Sequence, residues 1–250
     1  MATWREVVDA LRHQIERLGG VHGSRKSLPF GVSALDRHLP GKGLTLGSLH
    51  EVIEEGPASE FAGTATFFAA GIAARLKGPV LWCLTRRDLF APGLMKVGLH
   101  PDRIIYAETC RDADVLPLIE EGLHQKGLGA VIGEVSRLGL TTSRRLQVAA
   151  EASGVPALVI RRWWTVAQKD LTKLPTAAST RWRVSPVPSE VVSAGGLKRG
   201  RWQVELVRCR GAQPRSWILE ACDAQGRLAL PAALADRPAA AESPRHAVAG

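Results

Sequence analysis

Apolar residues recur at helical spacing in some stretches of this chain and crowd into short runs in others, and the two patterns alternate. In the first stretch Val7, Leu11, Ile15 and Leu18 form one stripe. Thr3 and Glu6 have capping-box spacing and Gly19-Gly20 ends the period, which predicts an amphipathic helix. The polar, basic segment VHGSRKS then reads as a linker, so this helix docks either on its own domain or on a partner molecule. From Leu28 the pattern gives a turn, a short helix over Ser33 to Leu39, a Gly-rich turn and the strand SLHEVIE. Phe61, Ala65, Phe68, Ile72 and Leu76 then mark one buried face of a helix between Pro57 and Lys77.

Strands and helices alternate beyond that point. PVLWCLT, RIIYAE, GAVIGEV and VPALVIR are apolar runs with little alternation, separated by the helical stretches LFAPGLMKVGL, ADVLPLIEEGLHQKG and TTSRRLQVAAEASG. Such runs suit a mostly parallel sheet covered on both faces, which makes the fold class α/β. After Arg161, TRWRVSPVP, RGRWQVELVRCRG, SWILEAC and GRLALP read as strands without intervening helices, hence an antiparallel β extension from about residue 175. The expected organisation is a helix and linker over 1–27, one domain over 28–230, and an Ala- and Pro-rich tail over 231–250 that has no apolar period and reads as disordered.

Composition adds an asymmetry. Residues 1–135 hold 15 Lys/Arg against 16 Asp/Glu, whereas residues 136–250 hold 18 against 8. The second half therefore suits a polyanionic or acidic partner, the plainer alternative being a solvated basic face. The start of the chain carries acids where a signal peptide would carry an apolar core, and no apolar run reaches membrane-spanning length, so the cytoplasm is expected. Cys83, Cys110, Cys209 and Cys222 lack Cys-x-x-Cys spacing and read as buried thiols. The seven histidines show no metal-type spacing, so no metal site is expected.

The junction EEGPASEFAGTAT, between a strand and a helix, stands where a phosphate-binding loop would. That loop, Gly-x-x-x-x-Gly-Lys-Ser/Thr, needs small residues so that backbone N–H groups curl round phosphates, a lysine to neutralise them and a hydroxyl to hold magnesium. Gly56 begins the pattern, but Phe61 and Ala62 stand at the second glycine and the lysine; a shifted frame uses Gly63 and Thr64 and still supplies no charge. No lysine lies between Lys42 and Lys77, so an unorthodox ATPase would have to recruit Lys42. Glu134 ends the strand that would offer a magnesium-directed acid. The expectation is a degenerate loop without phosphoryl-transfer chemistry and a protein that is not an enzyme and uses no cofactor.

Two basic stretches follow predicted strands. One carries Arg137, Arg144 and Arg145. The other carries Arg161, Arg162, Lys169, Lys173, Arg181 and Arg183, interleaved with Trp163, Trp164 and Trp182. Guanidinium groups beside indole faces suit single-stranded nucleic acid, although Trp182, Trp202 and Trp217 alternate with polar residues as core-facing strand positions also would.

Taken in order, LPFGVSALDRHLPGKGLTLGSLHEVIEEGPAS, VGLHPDRIIYAE and SRRLQVAAEASGVPALVIR resemble successive parts of the RecA-type ATPase core. The absent lysine, AASTRWRV and RGRWQVELVRCRG look most like the ImuA family, RecA-like, damage-inducible accessory proteins of bacterial mutagenesis cassettes; SulA-type division inhibitors are a neighbouring label. The resemblance implies a RecA-like fold and an accessory part in SOS-induced translesion synthesis. It also implies an inactive Y-family polymerase homologue (ImuB) as partner, with RecA and single-stranded DNA as further contacts. The alternatives are a DNA-stimulated ATPase and a protein-binding division inhibitor. For partner contact the candidate residues are Val7, Leu11, Ile15 and Leu18.

Overall fold

Eight strands form one sheet: β1 Leu49–Glu54, β2 Val80–Leu84, β3 Ile104–Glu108, β4 Ala130–Val135, β5 Ala157–Arg161, β6 Thr180–Val187, β7 Arg201–Cys209 and β8 Arg215–Glu220. Their spatial order is β8-β7-β6-β1-β5-β4-β2-β3. The computed structural model describes residues 26–163, 171–189, 191–192, 196–197 and 199–231. The expected N-terminal helix and C-terminal tail therefore lie outside the described residues.

Every pairing from β6 through β1, β5, β4 and β2 to β3 is parallel, while β7 runs antiparallel to both β6 and β8. The strand TRWRVSPVP, expected within an antiparallel extension, thus belongs to it along one edge only; on the other it lies parallel to β1. GRLALP contributes a single bridge, Glu220 to Ala229, instead of a strand.

Helices α1 Ala58–Ala74, α2 Ala91–Lys96, α3 Asp112–Leu123 and α4 Leu140–Ser153 cover the sheet. On one face Phe68, Ala69 and Ile72 of α1 pack with Val52, Ile132, Leu158, Ile160 and Trp182. An aromatic group anchors this layer: Phe30 meets Trp182 edge-on at 5.4 Å between ring centroids, and Phe68 lies 5.9 Å from the same indole. On the other face Val115, Ile119 and Leu123 of α3 and Leu146, Ala149 and Ala150 of α4 pack with Leu49, Cys83, Val131, Val135 and Val159. Gly154 ends α4 in the left-handed region at φ 78°, the conformation a glycine adopts without steric cost. Among the described residues no helix is long and apolar enough to cross a membrane.

The four cysteines are free; Cys83 and Cys222 are buried as expected, whereas Cys110, two residues past β3, is exposed and Cys209, the last residue of β7, is half-buried. Burial pushes the Cys83 and Cys222 thiols up to about 12, so both stay protonated and chemically quiet at neutral pH.

Candidate functional site

Glu54 closes β1, and only Glu55, Gly56 and Pro57 separate it from α1. The residues a phosphate loop would use, Phe61, Ala62, Gly63 and Thr64, lie inside the helix instead. The N–H groups of Glu60 and Phe61 donate to the Pro57 carbonyl at 3.0 and 3.2 Å, so they are turned into the helix. A Cβ on Gly56 would stand 2.7 Å from the Phe61 ring, which shows how closely that ring covers the glycine. Where backbone amides would curl round an anion, the chain has a phenyl ring packed on a helix start.

Beneath this junction lies a buried guanidinium. Arg162, one residue past β5, is 2% exposed and reaches across the carboxyl ends of three strands. Its Nη1 donates to Glu54 Oε1 at 2.7 Å and to the Ala62 carbonyl at 3.2 Å. Its Nε donates to Glu134 Oε2 at 2.8 Å, and its Nη2 to Thr66 Oγ1 at 2.9 Å. Glu134 Oε1 accepts from the Trp82 indole N–H at 2.8 Å, and Glu54 Oε2 from the Trp163 backbone N–H at 2.8 Å. Burial drives the Glu54 pKa up, against the pull of Arg162; burial also works against the charge on Arg162, but Glu134 and Glu54 outweigh it and raise that pKa.

These residues do not fit a magnesium-bound triphosphate. Both oxygens of Glu134 are engaged, the Glu60 and Phe61 amides are taken up by the Pro57 carbonyl, and the cation present is an arginine tied to two carboxylates beneath the loop. Lys42 is far from the junction. Its turn is held by Ser27 and the Ser27–Thr45 pairing at the amino end of β1, one strand length from Gly56.

A second cluster lies on the opposite face. Arg161 Nη1 donates to Glu51 Oε2 at 3.2 Å and Nη2 to the Ser136 carbonyl at 3.2 Å. Arg181 Nη2 shares Glu51 at 3.2 Å, while its Nη1 donates to the carbonyls of Thr172 and Leu174 at 2.8 Å. Arg161 and Arg181 are each 1% exposed.

The structure therefore corrects much of the expected nucleic-acid set. Arg161, Arg162 and Arg181 are interior ion-pair residues, because each lies on or next to a strand buried on both faces and meets a carboxylate there. Arg183 pairs with Glu205 across β6 and β7, and Arg145 with Glu120 between α4 and α3. Trp182, Trp202 and Trp217 are core residues, and Trp163 is half-buried. Arg137, Arg144 and Lys173 are exposed. Trp164 and Lys169 lie outside the described residues, as do Val7, Leu11, Ile15 and Leu18.

Sequence reasoning missed Glu51, Glu54, Thr66 and Trp82. Strand parity carried the signal: Glu54, Glu134 and Arg162 share one face of the sheet, and Glu51, Arg161 and Arg181 the other.

No protein-family model matches the chain. The RadB recombinase, in its crystal structure, superposes with a TM-score of 0.57 at 19% identity, covering 82% of this chain and 99% of that one, which establishes a RecA-like fold. The ImuA proteins of two Caulobacter vibrioides strains are each 37% identical over 205 residues, 79% of this chain and 84% of theirs. With that identity running through most of both chains, the protein belongs to the ImuA family.

Proposed function

We propose that this protein is a non-catalytic, RecA-like accessory factor of SOS-induced mutagenic lesion bypass, acting as a platform and not as a motor. Family membership and the RecA-like fold support a part in DNA-damage mutagenesis. The observation that carries the non-catalytic reading is the Arg162 guanidinium bridging Glu54, Glu134 and Thr66 beneath a Phe61-covered Gly56. Phosphoryl transfer depends on positive charge positioned at the terminal phosphates, and here the buried cation is spent on holding strand ends together.

The partner in this reading is an inactive Y-family polymerase homologue of the ImuB type, with RecA and single-stranded DNA as further contacts. Among the described residues, Arg137 and Arg144 are exposed cations that such a nucleic-acid surface would use. Two measurements test the proposal. Purified protein should show no ATP turnover above background with or without single-stranded DNA, and robust hydrolysis overturns the non-catalytic reading. A Y-family polymerase homologue should co-purify with the protein from its own cells under DNA damage; its absence from an otherwise intact preparation removes the partner.

A further inference from the structure

Packed side by side on one face of the sheet, α3 and α4 leave an open trough of about 370 Å³ on their outer surface. Residues four apart stand one above another on a helix, about 6 Å between them along its axis. Arg144, Val148 and Ala152 therefore make one row along α4, and Arg145 and Ala149 a second. Glu120 and His124 stand in the same relation on α3. The Arg145–Glu120 ion pair joins the two helices above Val148 and Ala149, nearer the amino ends of both. Below it Val148, 64% exposed, and the two alanines form an apolar floor, with His124 on the other wall and the exposed Arg144 at the rim.

The lining selects the occupant. Arg145 and Glu120 neutralise each other, so the charge left at the rim is the Arg144 cation, and it complements an anion. The floor spans little more than one turn of α4, which is room for a single flat group and not for the i, i+3, i+4, i+7 stripe of a docked helix. Beside that floor stands an imidazole, a ring on which a base can stack. An anion, a flat apolar group and the short spacer between them are the three parts of a nucleotide.

We propose that this trough is a base slot: one nucleobase lies over Val148, Ala149 and Ala152 against the His124 ring, and Arg144 holds its phosphate. The proposal rests on the single-strand contact put forward above and gives that contact a location. Arg137 is exposed three residues before α4 begins, so a backbone that follows Arg137 and then Arg144 is led down α4 to the slot. The slot accepts any base. Its hydrogen-bonding side chains at the upper end, Arg145 and Glu120, are engaged with each other, which leaves stacking and apolar contact to hold the ring without reading its edge.

Anisotropy titrations with two probes of equal length, labelled oligo(dT) and an oligomer of abasic sites, separate base contact from phosphate contact. The unmodified protein should bind oligo(dT) at least ~5-fold more tightly than the abasic oligomer, the least that one stacked base contributes. In the double variant Val148→Asn with His124→Ala, both at exposed positions, this preference should disappear. Binding of the abasic oligomer and the slope of log K against log salt should stay as they were, which also shows that the variant is folded and its phosphate contacts are intact. Equal binding of the two probes by the unmodified protein overturns the slot, because phosphates alone then hold the strand. A preference that survives in the variant places the base elsewhere and overturns the slot while sparing the single-strand contact. Binding of neither probe at low salt removes the single-strand contact itself, and the slot with it. If the variant keeps its preference for oligo(dT) but no longer co-purifies with the polymerase homologue, the trough belongs to a protein partner and the proposal falls.

Discussion

Arg161 and Arg162 are consecutive, yet they anchor two different charge clusters on opposite faces of the sheet. Under the α1 face one cation meets two carboxylates, with Arg162 between Glu54 and Glu134. On the α4 face two cations share one carboxylate, with Arg161 and Arg181 on Glu51. Hydrogen bonding follows the same division. Each nitrogen of Arg162 has an acceptor, whereas the Nε atoms of Arg161 and Arg181 have no hydrogen-bond partner among the described residues. The two clusters are therefore unequal in what they can do when disturbed. A carboxylate left alone in a low-dielectric interior can take up a proton and become neutral, but a guanidinium cannot shed one at any accessible pH.

The largest effect should come from the cluster that has no such escape. Glu51→Ala leaves two buried guanidinium groups facing each other, and breaking a buried ion pair costs about 3–5 kcal/mol. The upper end is expected here, because burial already lowers the Arg161 pKa and removing Glu51 takes away the opposing attraction. Thermal unfolding should show Tm falling by about 10–20 °C, with little dependence on pH between 6 and 8. A loss under about 1 kcal/mol would mean that water or other acceptors already carry the two cations.

Arg162→Met should cost less and should behave differently with pH. It leaves Glu54 and Glu134 facing each other, and the pair can relieve the strain by binding a proton. Such a proton gives the folded variant a carboxyl pKa above its unfolded value, so stability is retained at low pH and lost as pH rises through the folded value. The expected cost is about 3 kcal/mol at pH 8 and clearly smaller at pH 5, read by denaturant melts at both values. Equal costs at the two pH values would place the origin of the loss in packing instead of charge.

The two clusters also explain which parts of the molecule were legible in the sequence. The α1 stripe of Ala65, Phe68 and Ile72 and the apolar runs of β2, β4 and β5 declare themselves, because burial on a regular element imposes a period on apolar residues. The damaged loop is equally visible, since a phenylalanine and an alanine at fixed positions remove identifiable chemistry. The arginines misled for a physical reason. A run such as TRWRV has the alternation of a half-exposed strand, and nothing local says that Arg181 faces a glutamate contributed by a strand more than a hundred residues earlier. Buried charges are decided by pairing across strands, and pairing is a property of the sheet order. Once β1 is known to lie between β5 and β6, the parity of Glu51 and Glu54 sorts every one of these arginines.

His50 offers an intermediate effect that sharpens the comparison with a neutral buried group on the same strand as Glu51 and Glu54. It is fully buried; its Nε2 lies 2.8 Å from the Thr45 carbonyl and its Nδ1 2.8 Å from Thr180 Oγ1. A carbonyl only accepts, so the proton sits on Nε2 and Nδ1 accepts from the threonine hydroxyl. Burial lowers its pKa to about 4 from 6.5, against the smaller opposing pull of the Thr45 hydrogen bond. Between those values the unfolded chain binds a proton that the folded protein refuses. Stability therefore falls as pH drops from about 6.5 toward 4, by up to ~3 kcal/mol. The slope of unfolding free energy against pH in this window should flatten in His50→Gln, and an unchanged slope would assign the acid sensitivity to other groups.

The smallest effect on stability should come from the exposed arginines, which is where the functional contrast with the buried ones becomes measurable. Arg137→Ala and Arg144→Ala remove solvent-facing charges and should each change stability by less than about 0.5 kcal/mol. If this surface meets single-stranded DNA, each cation that releases a phosphate counterion contributes to the salt dependence, so the double variant should reduce the magnitude of the slope of log K against log salt by ~1–1.5. Anisotropy titrations of labelled single strands across a range of salt concentrations provide the readout. The buried arginines predict the opposite combination: an Arg162→Lys variant that still folds should leave the salt slope unchanged, because Arg162 faces Glu54 and Glu134 and not solvent. A slope that responds to Arg162 and ignores Arg137 and Arg144 would reverse the assignment of inner and outer charges on which the proposed DNA contact rests.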